Sequence, residues 1–166
     1  MNALVAVKEH AHTELLTCRV GEQWIGFHVQ QVREVVTNQE RTQMPLSPDA
    51  VLGLINLRGR VMTELDVRKV VGLPERAEDE SCHVAIIETS SGEDFGLTVD
   101  DVGEVMLLDP DNYEPTPRSL DAIWRQVSEG VLKLEQGVLV LVNVDRFIAL
   151  TIPSAEQGAP DKAVLH

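Results

Sequence analysis

Aromatic side chains are scarce in this chain: three Phe, two Trp and one Tyr among 166 residues, 4% in all. Flat π-faces on which bases or sugars stack are in short supply, which argues against a single-strand nucleic-acid platform. Positive charge is short too. Fourteen Lys and Arg stand against 27 Asp and Glu, a net charge of −13. Nucleic acid and anionic membrane surfaces are bound chiefly through Lys and Arg, so neither fits as a direct partner. Two cysteines, Cys18 and Cys82, are too few for a disulfide framework and fit a reducing compartment, with a bridge between the two left open. No apolar run approaches the roughly 18 residues of a membrane-spanning helix, and the first twelve residues lack a signal-peptide pattern. A cytoplasmic protein is the expectation.

Catalytic motifs are missing as well. There is no Gly-x-x-x-x-Gly-Lys-Ser/Thr loop, no Gly-x-Gly-x-x-Gly, no Gly-x-Ser-x-Gly and no His-Glu-x-x-His. His10-x-His12 offers two metal ligands but has no evident third and lies in a segment that reads as a tail. His28 and His83 fall in strand-like runs and read as partly buried histidines satisfied by hydrogen bonds. Cys82 and His83 are adjacent, so on a strand they point to opposite faces and form no thiol–imidazole pair. Asp100, Asp101 and Glu104, like Asp109 and Asp111, read as a solvated acidic rim, because the spaced oxygen ligands of a calcium loop are absent. A small-ligand or catalytic role for the first of these clusters is the alternative reading.

What is present is an aliphatic strand pattern. Hydrophobic residues make up 43% of the chain, enough for one domain over 14–152, with tails at 1–13 and 153–166. Short Val, Ile and Leu runs recur between Gly, Pro, Asp and Asn. Glu14 to Val20 with Gln23 to His28, His83 to Thr89 with Glu93 to Val99, and Gly130 to Leu134 with Val138 to Val144 read as three hairpins. Gly53 to Val67 is a longer run broken at Arg58-Gly59-Arg60. The helical pieces are short: Asp66 to Val71, stopped by Gly72 and Pro74; Ser119 to Val127; and a single turn opened by Ser47-Pro48. An all-β chain of antiparallel barrels follows, rather than a parallel α/β sheet.

One stretch departs from an ordinary strand. In Gly53-Leu54-Ile55-Asn56-Leu57-Arg58-Gly59, an Asn, an Arg and a Gly interrupt an apolar run. Gly59 permits a turn with φ > 0, Asn56 can bond the turning backbone, and Arg58 is left pointing outward. These residues, with Leu65-Asp66-Val67 and Gly72-Leu73 after them, resemble the signature of the CheW family of bacterial chemotaxis coupling proteins. Val32-Arg33-Glu34-Val35, the block from Gly96 to Val105, and Gly130-Val131 with Leu139 to Val144 resemble further family segments, in order, from about Glu14 to Ile152.

The resemblance implies two interlocked five-stranded, SH3-like β-barrels around one core, no active site and no cofactor. It implies a scaffold recruited to receptor arrays at the inner membrane. Its partners would be the cytoplasmic tip of transmembrane chemoreceptors, the regulatory domain of a CheA-type histidine kinase, and other CheW-like domains. Receptor contacts would fall at positions matching Val32, Glu34, Val35 and Arg58, with Arg58 either touching the partner or holding the groove in shape. Kinase contacts would fall at positions matching Gly53, Val84 and Gly130, where the alternative for each glycine is a plain turn residue. Thr63-Glu64 stands where the family usually has Pro followed by an apolar residue. A buried Glu is costly without a partner, so Glu64 either faces solvent or pairs with a cation, Arg58 or Arg60 being the candidates. Such departures also admit a paralogue serving pilus motility, gliding or another output, or acting as a competitor.

Overall fold

The computed structural model describes residues 13–37, 39–77 and 80–152. Residues 1–12 and 153–166, which hold nearly all of the expected tails and the His10-x-His12 pair, lie outside the described residues. Four hairpins form the frame: β1 (Glu14–Val20) with β2 (Gln23–His28), β4 (Val51–Leu57) with β5 (Arg60–Asp66), β6 (His83–Glu88) with β7 (Asp94–Val99), and β10 (Ser128–Leu134) with β11 (Gly137–Val142). Three further strands, β3 (Val32–Thr37), β8 (Asp101–Leu107) and the two-residue β9 (Tyr113–Glu114), complete the sheets.

The chain runs from one sheet to the other and back. One sheet has the order β8-β1-β2-β11-β10-β9; the other, β3-β6-β7-β5-β4, is made wholly from the middle of the sequence. The N-terminal and C-terminal thirds therefore share a sheet, joined where β2 and β11 run parallel. A second parallel pair, β5 with β7, joins two hairpins of the other sheet. Every other pairing is antiparallel. The expected pair of interlocked barrels is present, with β9 as a short sixth strand on one of them.

Strict alternation along the central strands shows why two barrels share a core. On β11, Val140 and Val142 face a large cluster between the sheets, while Leu139 and Leu141 face a separate cluster with Leu15, Leu108 and Leu132. On β6, Ala85 and Ile87 join the shared cluster, and Val84 and Ile86 join a third with Ile55 and Met62. A strand buried on both faces reads as an unbroken apolar run, and a period of two divides that run between two interiors. Each sheet thus closes over its own interior and lays its other face on the common core.

Short helices seal the ends of that core. Helix α1 (Val67–Val70) is capped by the Asp66 side chain, which accepts from the Arg68 amide. Helix α2 (Ala122–Val127) is entered from Asp121, two residues after the expected Ser119 cap, and buries Trp124 and Val127. Helix α3 (Val144–Thr151) replaces the last residues of an expected strand: Asn143 accepts from the Arg146 amide, and Val144, Phe147, Ile148 and Thr151 turn inward at helical spacing. Both cysteines are free thiols; burial, with Asp101 nearby, pushes the Cys18 thiol up to about 12.

Candidate functional site

The Asn-Leu-Arg-Gly segment is turn chemistry. Ile55 points into the interior of the second barrel, and Leu57 packs against the same cluster. Between β4 and β5 the chain reverses through Arg58 and Gly59, at φ of 53° and 84°. Positive φ at both central residues is the geometry that suits a tight hairpin with right-twisted strands. Asn56 stabilises it by accepting the Gly59 amide at 3.0 Å. Arg58 is thrown outward, its side chain 71% exposed, and its Nη1 meets Glu34 Oε2 on β3.

That ion pair crosses the seam of the second barrel, because β3 and β4 are the two edge strands of its sheet. A second charge network lies beside it. Asp94, 5% exposed at its side chain, is held between Arg60 and Arg33, and Arg33 also bonds Glu88 at 2.7 Å. Hydrogen bonding to Asp94 holds the Arg33 guanidinium above its ordinary range. The four residues expected at a receptor surface are thus divided by β3. Glu34 and Arg58 are in contact. Val32 packs against the shared core, and Val35, 37% exposed, lies on the opposite face of the strand from Glu34.

The three positions expected to meet a kinase are all buried and do not cluster. Val84 is 0% exposed, inside the second barrel. Gly53 has φ 144°, and a Cβ there would stand 2.6 Å from the Thr42 carbonyl oxygen. Its close backbone approach is therefore internal, to the loop before β4, where Thr42 and Leu54 exchange bonds of 2.8 and 2.9 Å. Gly130 belongs to the first barrel at φ 141°, where a Cβ would strike the Tyr113 ring at 2.6 Å.

Glu64 also departs from expectation. It is 0% exposed, and its cation is neither Arg58 nor Arg60 but Arg41, whose Nε and Nη2 donate to the two carboxylate oxygens at 2.6 and 3.1 Å. Thr98 Oγ1 donates to Oε2 as well. Hydrogen bonding to Glu64 raises the Arg41 pKa against the opposing effect of burial. Nothing in the sequence pairs residues 23 positions apart across a loop, so this partner was not legible before the fold.

The acidic cluster dissolves in three dimensions. Asp100 is buried beneath Arg68 and Arg76 and accepts the Gly21 amide at 2.6 Å. Burial would raise its pKa, but that amide and the two guanidiniums outweigh it and hold the carboxyl below its ordinary range. Asp101 is exposed and 3.8 Å from Arg19. Among the described residues no group of three His, Cys, Asp or Glu side chains is placed to hold a metal. A cavity of about 660 Å³ on the first barrel, which no motif of the sequence signals, is lined by Tyr113, Ser128, Asn143 and Arg146 and by His28, whose Nε2 lies 3.0 Å from Glu129 Oε1.

Comparison with known proteins agrees with this architecture. Residues 14–151 match the model of the CheW-like domain, and the chain belongs to that family. It is 34% identical over 146 residues to the chemotaxis protein CheW of Rhizobium meliloti, covering 88% of this chain and 91% of that protein. A probable chemotaxis protein CheW of Rhizobium etli is 30% identical over 138 residues, covering 83% and 88%. The crystal structure of the scaffolding protein TtCheW from Thermoanaerobacter tengcongensis superposes with a TM-score of 0.70 at 28% identity, over 79% of this chain and 88% of that one. Fold and family place the chain among the scaffold proteins of chemotaxis. Among the described residues no helix is long and apolar enough to cross a membrane.

Proposed function

We propose that this protein is a non-catalytic adaptor in the cytoplasm that couples transmembrane chemoreceptors to a CheA-type histidine kinase within arrays at the inner membrane. The observation that carries the reading is the Arg58 turn. A positive-φ hairpin fixes the backbone, Glu34 fixes the side chain, and the guanidinium still stands 71% exposed. A charge oriented in this way and left in solvent contributes little to folding. It suits a partner surface that supplies acceptors. Arg58 and Glu34 form the receptor side, with Val35 exposed on the other face of β3 and Val32 anchoring that strand to the core, so that a helical hairpin would lay apolar side chains beside a few polar ones.

The kinase regulatory domain, itself barrel-like in this reading, meets other edges, marked by Gly53, Val84 and Gly130. Since these positions are buried, they act by shaping the strands and loops that a partner touches. Other CheW-like domains are further candidates for the same edges. The test is reconstitution with a cognate receptor and kinase. Adding this protein makes kinase activity depend on receptor ligand; activity that stays independent of the receptor with a matched set contradicts the proposal.

A further inference from the structure

Between the described strands the chain crosses from one sheet to the other twice, and the two crossings are built differently. On the way out, a 3-10 turn over Val29–Gln31 leads from β2 to β3, and Gln30 and Gln31 line the wall of the cavity of about 660 Å³. On the way back there is no loop: β7 ends at Val99, β8 starts at Asp101, and Asp100 alone lies between them. Its amide donates to the Arg19 carbonyl at 3.0 Å, so the backbone enters the first barrel at once.

The Asp100 carboxylate, 8% exposed, is filled from both barrels. From the first, the Gly21 amide in the β1–β2 turn donates to Oδ2 at 2.6 Å. From the second, Arg68 Nη1 donates to the same oxygen at 2.7 Å, and Arg76 Nε and Nη2 donate to Oδ1 at 2.9 and 2.6 Å. Four such donors are about all that a carboxylate accepts. Arg76 is 10% exposed at its side chain, although it sits in an irregular segment between α1 and β6 among exposed Pro74, Glu75 and Ala77. That segment is drawn down along its length. The Leu73 amide donates to the Arg68 carbonyl and Arg68 Nε to the Pro74 carbonyl, both at 2.8 Å. The Leu73 side chain reaches the β1–β2 turn, where a Cβ on Gly21 would stand 3.0 Å from it. Residues 72–76 therefore form a strap from the second barrel across to the first.

Apolar burial in the shared core favours contact between the barrels but is non-directional. Charge-assisted hydrogen bonds are short and directional, and a buried charge requires its partner. We infer that residues 72–76 are a latch, bolted by Arg76 onto Asp100, and that this latch fixes the orientation of the first barrel against the second. Any surface that spans both barrels takes its shape from that orientation. The latch is independent of the coupling function proposed above and of its assigned partner contacts.

Residual dipolar couplings of backbone amides, measured on the full chain, provide the test. In the original chain one alignment tensor fits the strands of both barrels. In Asp100→Asn and in Arg76→Gln, each barrel still fits a tensor of its own, but the two tensors diverge. The Gly21 amide of Asp100→Asn also exchanges about tenfold faster or more, the order expected for a lost bond to a charged acceptor. Arg76→Gln leaves Gly21 and Arg68 on the carboxylate, so it carries the test if Asp100→Asn fails to fold. Asp101→Asn, at the exposed neighbour, keeps a single tensor. One tensor that still fits both barrels in the latch variants overturns the inference. Couplings in Arg76→Gln that no longer fit either barrel by itself overturn it too, because the strap would then be supporting a barrel's own fold.

Discussion

The two barrels share one architecture and differ in what they enclose. The first closes over Leu15, Leu108, Leu132, Leu139 and Leu141, a fully apolar interior edged by Trp24, Met106 and Tyr113. The second closes over Ile55, Met62, Val84 and Ile86 and, beside them, the buried carboxylate of Glu64 with its bonds to Arg41 and Thr98. Burial of an ion pair is weak support for stability, since desolvation cancels much of the attraction, but it fixes geometry strongly because each charge needs the other. The first barrel is a packing solution. The second uses a polar anchor to hold a loop of defined shape over Gly53, and at its seam a further ion pair sets Arg58.

The largest effect should come from breaking the apolar interior. Leu139→Ala removes a fully buried side chain from the first barrel and should cost about 3 to 4 kcal/mol. Thermal unfolding would read the loss, and limited proteolysis should find the 43–48 loop no more sensitive than before. In the second barrel, Arg41→Met leaves Glu64 buried without its cation, at a cost of about 3 kcal/mol. The same proteolysis should then cut the released loop. Arg41→Met with Glu64→Leu should recover most of the stability but not the loop's protection; additive losses in the double variant would show that the two residues are not coupled.

Much of this contrast was legible in the residues. Alternating aliphatic runs gave the hairpins, and Asn56-Leu57-Arg58-Gly59 announced a turn because each residue has a local job there. Asp66 and Gly72 marked the ends of a helical turn for the same reason. What stayed hidden depends on contacts distant in sequence. The partner of Glu64 lies across a loop, Gly53 is a glycine because of the Thr42 carbonyl, and Asp100 left its acidic neighbours to sit under two arginines. Helix α3 is different, since its signal was available: Asn143 as a cap, then apolar residues at 144, 147 and 148. It was masked by the apolar run of β11, from which only Asn143 separates it.

The smallest expected change in stability belongs to the feature given the largest functional role. Arg58→Ala removes an exposed ion pair and should lower stability by less than about 1 kcal/mol. Binding of this variant to a receptor cytoplasmic fragment and to the kinase regulatory domain, measured side by side on folded protein, tests the division of the surface most directly. Receptor binding lost with kinase binding intact is the result predicted. Equal retention of both, or loss of both together with a large drop in melting temperature, would contradict it.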